Sequence, residues 1–284
     1  MTSDERAVVI TGASTGIGEA CALHLDRLGF RVFAGIRNPA DGRALQAKAS
    51  SRLTTLSLDV TDQAQVEAAV RTVDGALGPV GLWGLVNNAG IARGGPLEFL
   101  PIDEFRRQLE VNVTGQLRVT QAFLPLIRRA RGRIVNMSSV SGRLAAPFMG
   151  PYSSSKFALE ALSDALRLEL RPWGISLSVV EPSNVATPIW EKSLAAGMAI
   201  LESLPPGARD LYGGVIARMP EVVHASARSG VSPELVARAV AHALSSRRPR
   251  TRYRVGRGAG MAVAFGRMAP DRVRDWAIAR RLRG

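Results

Sequence analysis

Residues 7–20, AVVITGASTGIGEA, decide the fold. The apolar run at 7–11 reads as a strand buried on both faces, the kind that fills a parallel sheet. It stops at a turn containing Gly12, Gly16 and Gly18, with Ser14, Thr15 and Ile17 among them, and a helical stretch follows over 17–28. Small residues there let the backbone approach an anion, which the first amides and the positive dipole of the new helix stabilise. A glycine-rich turn is also sometimes only a tight turn, so the rest of the chain has to separate the two readings.

Working outward, strand-like runs at 31–36, 53–58, 82–90, 132–139 and 174–182 alternate with helical stretches at 41–49, 62–77, near 103–128 and from Pro151 onward. That alternation predicts an α/β protein whose βαβ units join by right-handed crossovers into a doubly wound parallel sheet, the Rossmann fold. A single domain covering 1–284 is expected, with its ligand crevice at the carboxyl ends of the strands. Between Pro188 and Pro220 the periodicity weakens into PIWEKSLAAGMAILESLPPGARDLYGGVIARMP, too long for an ordinary connection. This insertion, 188–220, reads as a helical lid over the substrate.

The 284 residues are 46% hydrophobic, ample for one large core. A formal charge of +13 raises nucleic acid as a partner, but its distribution argues otherwise. From Arg247 to Gly284 there are twelve arginines against Asp271 and Asp275, so ten of the thirteen charges belong to the C-terminal end. Residues 258–284 read as a basic helical extension without the aromatic interleaving of a nucleic-acid groove, and no nucleic acid is expected. The extension is a solvated rim or, with Trp276, Ile278 and Leu282 along one face, a weak peripheral contact with anionic lipid. MTSDERAVVITG is a short charged leader running straight into a strand, and a cytoplasmic protein is the expectation. Cys21 stands alone in a helical stretch and His24, His224 and His242 are scattered, so no intrachain disulfide forms and no metal is expected.

The segment that points to chemistry is YSSSK, Tyr152 to Lys156. At a helix start, with Pro151 in the first turn, a four-residue spacing puts the phenol and the ammonium on one face. A free tyrosine titrates near about 10, so a tyrosine acid/base working at neutral pH needs positive charge beside it. Lys156 supplies that charge. The pair alone is common in amphipathic helices; its weight comes from its company. TGASTGIG stands at 11–18, NNAG at 87–90, Asn112 within EVNVTG, and Ser139 ends IVNMSS thirteen residues before Tyr152.

With those five motifs in that order, residues 7–188 resemble the short-chain dehydrogenase/reductase family. The resemblance implies a nicotinamide-dependent oxidoreductase with Asn112, Ser139, Tyr152 and Lys156 as its catalytic set. Tyr152 would exchange the proton of the substrate oxygen, and Ser139 would hold that oxygen. Lys156 would lower the tyrosine pKa and bind the nicotinamide ribose, while Asn112 would anchor a water leading from Lys156 to solvent. Cofactor positions implied in the same way are Gly12, Ser14, Thr15, Gly16, Ile17, Gly18, Asp59, Val60, Asn88, Ala89, Gly90, Val111, Tyr152 and Lys156. EPSNVATPI adds Pro182, Val185 and Thr187, but departs from the family at Ser183, where glycine is usual.

Cofactor choice should be made at the end of the second strand, RVFAGIRN. The position usually acidic in NAD-preferring relatives is Ile36, and Arg37 follows, a residue suited to a 2′-phosphate. NADP(H) is therefore expected, with NAD(H) the alternative. GFRVFAGIRN and TPIWEKS look most like the branch holding steroid, retinol and hydroxybutyrate dehydrogenases. Leu144, Ala145, Phe148 and Met149, with Ile189, Trp190, Leu194 and Met198 from the lid, would give an apolar pocket for a lipophilic secondary alcohol or ketone, or would simply pack the lid onto the sheet. Relatives pair into homodimers or homotetramers, and a small-molecule substrate is the expected partner. The other functional classes open to this sequence are a cofactor-binding regulator on the same fold and a membrane- or polyanion-associated protein using its basic end.

Overall fold

A computed structural model describes residues 6–202 and 206–283. The first five leader residues and positions 203–205 of the expected lid lie outside the described residues, as does the side chain of Leu282. Seven strands, β1 (Ala7–Ile10), β2 (Arg31–Ile36), β3 (Leu53–Ser57), β4 (Gly84–Asn87), β5 (Arg133–Met137), β6 (Ser176–Pro182) and β7 (Arg252–Val255), form one parallel sheet. Its order is β3-β2-β1-β4-β5-β6-β7. The order reverses between β1 and β4, and a doubly wound sheet opens its ligand crevice at such a switch point.

Alternation along β1 shows why the strand is apolar throughout. Val8 and Ile10 face one layer, packed against α1 (Gly16–Arg27) and residues 233–245, while Ala7 and Val9 face the other, with Phe123 and Ile127 from the 115–130 helix. Phe33, Phe123, Ile10 and Leu85 are fully enclosed, each worth roughly 1.5–3 kcal/mol in burial. Cys21 lies in the first layer, and burial pushes its thiol up to about 12, which makes it an inert apolar residue.

The remaining helices are α2 (Pro39–Gln46), α3 (Gln63–Leu77), α4 (Ile102–Leu109), α5 (Gly115–Ala130), α6 (Gly150–Glu169), α7 (Ile189–Glu202), α8 (Pro206–Arg228), α9 (Pro233–Ser245), α10 (Ala259–Met268) and α11 (Asp271–Arg283). Two departures from the sequence expectation matter. The long helix near 103–128 is interrupted by a wider π-helical turn over Glu110–Thr114, which carries Asn112. The expected lid, 188–220, is the helical hairpin α7–α8 and runs on to Arg228, through Pro220. At the C-terminus, Trp276 is exposed whereas Ile278 is half-buried, so the two do not share one free face.

Candidate active site

The turn after β1 is shaped by its neighbours. The Asn88 side-chain amide donates to the carbonyls of Thr11 and Gly12, both at 3.0 Å, and the Thr11 hydroxyl accepts from the amides of Asn88 and Ala89 at 3.0 and 2.9 Å. These bonds staple the end of β4 to the start of the turn. Gly18 must be glycine: a Cβ there would fall 2.2 Å from the Gly12 carbonyl oxygen and 2.5 Å from the Asn88 amide nitrogen. Thr15 caps α1 in an extended conformation without a side-chain bond to the helix. The amides of the first turn are thus left to the crevice, and with the glycine cradle they fit the pyrophosphate of a dinucleotide. Thr187 closes the far side, packed over Gly16.

At the end of β2, Arg37 is 69% exposed and lies 3.9 Å from Asp59, whose other oxygen accepts from the Thr61 amide and hydroxyl at 2.9 and 2.8 Å. An exposed pair at that distance contributes well under about 1 kcal/mol, so Arg37 is available to a phosphate. Val60 is buried beside α5, with its carbonyl accepting from Arg118 at 2.7 Å, and Val111 packs on the same layer.

Tyr152 and Lys156 sit one turn apart at the start of α6. The Lys156 ammonium is buried, donates to the Met137 carbonyl at 2.7 Å and lies 5.7 Å from the centre of the Tyr152 ring. Burial pulls Lys156 down to about 8 against the opposing attraction of Glu160. Burial also raises Tyr152 above its ordinary value, partly offset by a hydrogen bond with Ser139. Ser139 begins the short turn Val140–Gly142 after β5; its hydroxyl accepts from the Ser141 amide at 3.1 Å and faces the Pro182 carbonyl at 3.5 Å. The Tyr152 ring thus has a hydroxyl and an ammonium as neighbours.

Asn112 is fully buried. It accepts from the Ile91 amide and donates to the Ile91 carbonyl, each at 2.9 Å, and donates to the Ser155 hydroxyl at 3.1 Å, which in turn donates to the Tyr152 carbonyl at 2.7 Å. The π turn is therefore tied to the start of α6. Gln108 and Gln116, which the sequence reading passed over, extend the same row: Gln108 holds the Arg93 amide and the Ile91 carbonyl, and Gln116 the Ala89 carbonyl. Polar residues four apart on an otherwise amphipathic helix were the available signal. Gly90 packs on Asn112, so segment 89–93 is held by all three.

Ser183 has a tertiary explanation. Its hydroxyl occupies the space where Gly256, at φ 109°, carries no side chain; a Cβ on Gly256 would fall 2.1 Å away. The glycine missing from the loop after β6 stands instead at the end of β7. Val185 is buried and bridges to Val231, and the Trp190 indole donates to its carbonyl at 2.7 Å.

Above the crevice, Phe148 holds a left-handed backbone at φ 64°, unusual for a bulky residue and costing about 1–3 kcal/mol. Its carbonyl accepts from the Gly95 amide at 2.8 Å, and its ring meets Tyr212 of α8 edge-on at 6.1 Å. Tyr212 also meets Phe99 at 6.0 Å and donates to Glu98 at 2.9 Å. Met149 lies against Gly94 and Leu144 against Gly266 of α10. Ala145 is exposed, Ile189 and Leu194 are half-buried, and Met198 is 37% exposed. Phe99 and Tyr212 are the hairpin contacts that the sequence reading did not name.

A parallel sheet with a pyrophosphate cradle at its switch point and a tyrosine, serine and lysine beside it defines a nicotinamide-dependent oxidoreductase. The chain matches the short chain dehydrogenase family over residues 6–196 and belongs to it. It is an NAD(P)-dependent oxidoreductase acting on CH–OH groups, of the branch that includes retinol and hydroxybutyrate dehydrogenases. It is 41% identical to mouse retinol dehydrogenase 5 over 281 residues, 97% of this chain and 88% of that protein. It is also 41% identical to rat mitochondrial D-beta-hydroxybutyrate dehydrogenase over 263 residues, 87% of this chain and 76% of that one. A solved short chain dehydrogenase/reductase from Burkholderia phymatum in complex with NAD superposes with a TM-score of 0.79 at 26% identity, covering 98% of this chain and 96% of the other.

Proposed function

We propose that the protein interconverts a lipophilic secondary alcohol and its ketone with NADP(H), Tyr152 acting as the proton donor and acceptor. The observation that carries this reading is the half-buried Tyr152 phenol, beside Ser139 at the carboxyl end of β5 and one helical turn from the buried Lys156 ammonium. The bound nicotinamide would supply or accept the hydride. In reduction, as the carbonyl carbon gains hydride, its oxygen takes the Tyr152 proton; Ser139 donates a hydrogen bond to the same oxygen and stabilises the charge it develops. Burial, not Lys156, sets the direction of the Tyr152 pKa in this arrangement, so the phenol is protonated at neutral pH but a weaker acid than a free tyrosine, and its proton leaves only as charge develops on the substrate oxygen. Oxidation requires a phenolate, which the Lys156 ammonium favours when it turns from the Met137 carbonyl towards the ring. Asn112 positions the start of α6 through Ser155. Arg37, with Ile36 in place of an acid, supports recognition of a 2′-phosphate, and the apolar side chains of Phe148, Met149 and Trp190 support a lipophilic substrate.

Tyr152→Phe tests the assignment. Turnover of a ketone that the wild type reduces should fall at least about 100-fold, with the NADPH dissociation constant changed less than about threefold. Unchanged turnover would remove Tyr152 from the chemistry.

A further inference from the structure

Beneath the site lies a cluster of six charges that the reaction does not use. Glu160 and Glu181 are 3% and 0% exposed. Glu160 pairs with Arg143 and with Arg252, the latter at 3.0 Å; Arg252 also reaches Asp164 at 2.8 Å and Glu181 at 3.3 Å. Glu181 is reached by Arg143 at 3.1 Å and by Arg254 at 3.3 Å. Three arginines thus balance three carboxylates around the two enclosed glutamates, with Asp164 and Arg254 at the exposed edge. Enclosing such a set costs several kcal/mol per ion before pairing, so it is poor evidence of added stability.

The placement of its members suggests another use. Arg143 comes four residues after Ser139, Glu160 four residues after Lys156, and Glu181 immediately before Pro182, whose carbonyl faces the Ser139 hydroxyl. Gly142, in the turn between Ser139 and Arg143, is packed so tightly on α6 that a Cβ would lie 3.0 Å from the Lys156 carbonyl and 3.1 Å from the Glu160 side chain.

Resting on the function proposed above, we infer that Glu160 is a positioning residue: its ion pairs lock the Ser139 turn to the helix bearing Tyr152 and Lys156, and its carboxylate, one helical turn from Lys156, is the negative charge set against that buried ammonium. The charged surroundings agree. On its own helix Lys156 has Tyr152 and Glu160 one turn to either side, with Asp164 beyond. From the Ser139 turn comes Arg143, from β6 Glu181, and from β7 Arg252 and Arg254, all gathered on the two glutamates. On the opposite side, Glu104 of α4 is engaged by Arg93 at 2.7 Å and Glu110 of the π turn by Arg118 at 2.8 Å. Glu160 is accordingly the attraction that opposes the effect of burial on Lys156.

The chain has three lysines, Lys48, Lys156 and Lys192, and the other two are exposed, so lysine-selective carbon-13 NMR can follow Lys156 without substrate. The full-length protein, Glu160→Gln and Arg252→Gln should each be titrated. Removing the carboxylate should lower the Lys156 midpoint by about one pH unit, while removing an arginine that neutralises it should raise the midpoint. Glu160→Asp should restore most of the first change, and the pH–rate limb set by Lys156 should move with the NMR midpoint. Unmoved midpoints, or two variants shifting in the same direction, would overturn the inference; Arg252→Gln decides it alone if Glu160→Gln does not fold. Shifted midpoints in a protein without ketone turnover would uphold the electrostatic coupling and refute the proposed reaction.

Discussion

In the crevice, Asn112, Lys156, Glu160 and Glu181 are buried, and each is held by partners from other elements: Ile91 and Ser155, the Met137 carbonyl, and the arginines of the Ser139 turn and β7. In the α7–α8 hairpin, the buried side chains among the described residues include Ile200 and Ala208, and attachment runs through Tyr212 to Glu98, Tyr212 to the rings of Phe99 and Phe148, and Trp190 to Val185. Among the described residues, the crevice is tied by buried polar bonds from several elements, whereas Tyr212 and Trp190, which carry these hairpin contacts, are only half-buried. A reaction needs its proton donor placed to within a fraction of an ångström, whereas an apolar substrate needs a wall of suitable shape. The same division lets one reaction be kept while the molecule it acts on varies.

The largest expected effect attacks the crevice. Lys156→Met should abolish turnover, measured as ketone-dependent NADPH oxidation, because it removes the ammonium that favours the phenolate. The titration of this lysine also makes stability depend on pH. In the folded state Lys156 loses its proton near 8, whereas the unfolded chain keeps it to about 10.5, so between these values the unfolded state binds more protons and stability rises with pH. Tyr152, raised above 10, works in the opposite direction only beyond that value. The wild type should therefore gain stability between pH 8 and 10 relative to Lys156→Met; parallel curves would show that the lysine is not strained by burial.

An intermediate effect is expected at the cofactor rim. Arg37→Ala should weaken NADPH about 10-fold and leave NADH nearly unchanged, as measured by fluorescence titration, since one charge-assisted bond to a phosphate is worth about 1.5–3 kcal/mol. Equal wild-type affinities for the two cofactors would refute the NADP(H) preference. The smallest effect belongs to the hairpin. Tyr212→Phe removes an exposed hydrogen bond and keeps both ring contacts, so stability should change by less than about 0.5 kcal/mol and KM by less than tenfold, with kcat preserved. A large fall in kcat would erase the contrast between the two regions.

Much of the site was legible because its information is local. The turn at 11–18, the Tyr152–Lys156 pair and the position of Ser139 after a strand follow from spacing along a strand or a helix. Gln108, Gln116 and the Glu160 cluster were not legible as functional candidates, since nothing near them in the chain names their partners: Glu160 meets Arg252 and Ser183 meets Gly256 only when β7 is laid beside β6. The hairpin was recognised as an insertion by its broken periodicity, but its length to Arg228 and its attachment through Tyr212 depend on what lies beneath it.

By itself the sequence determined an α/β sheet, its glycine turn, the Tyr152 phenol and the lysine beside it, because these depend on periods of two and about four residues and on side-chain chemistry. The tertiary structure decided which buried charges offset one another, which glycine makes room for Ser183, and which side chains fasten the hairpin to the rest of the chain. Those are matters of close packing and electrostatics in a low-dielectric interior, where the deciding partner is the nearest in space and can lie some ninety residues away in the chain.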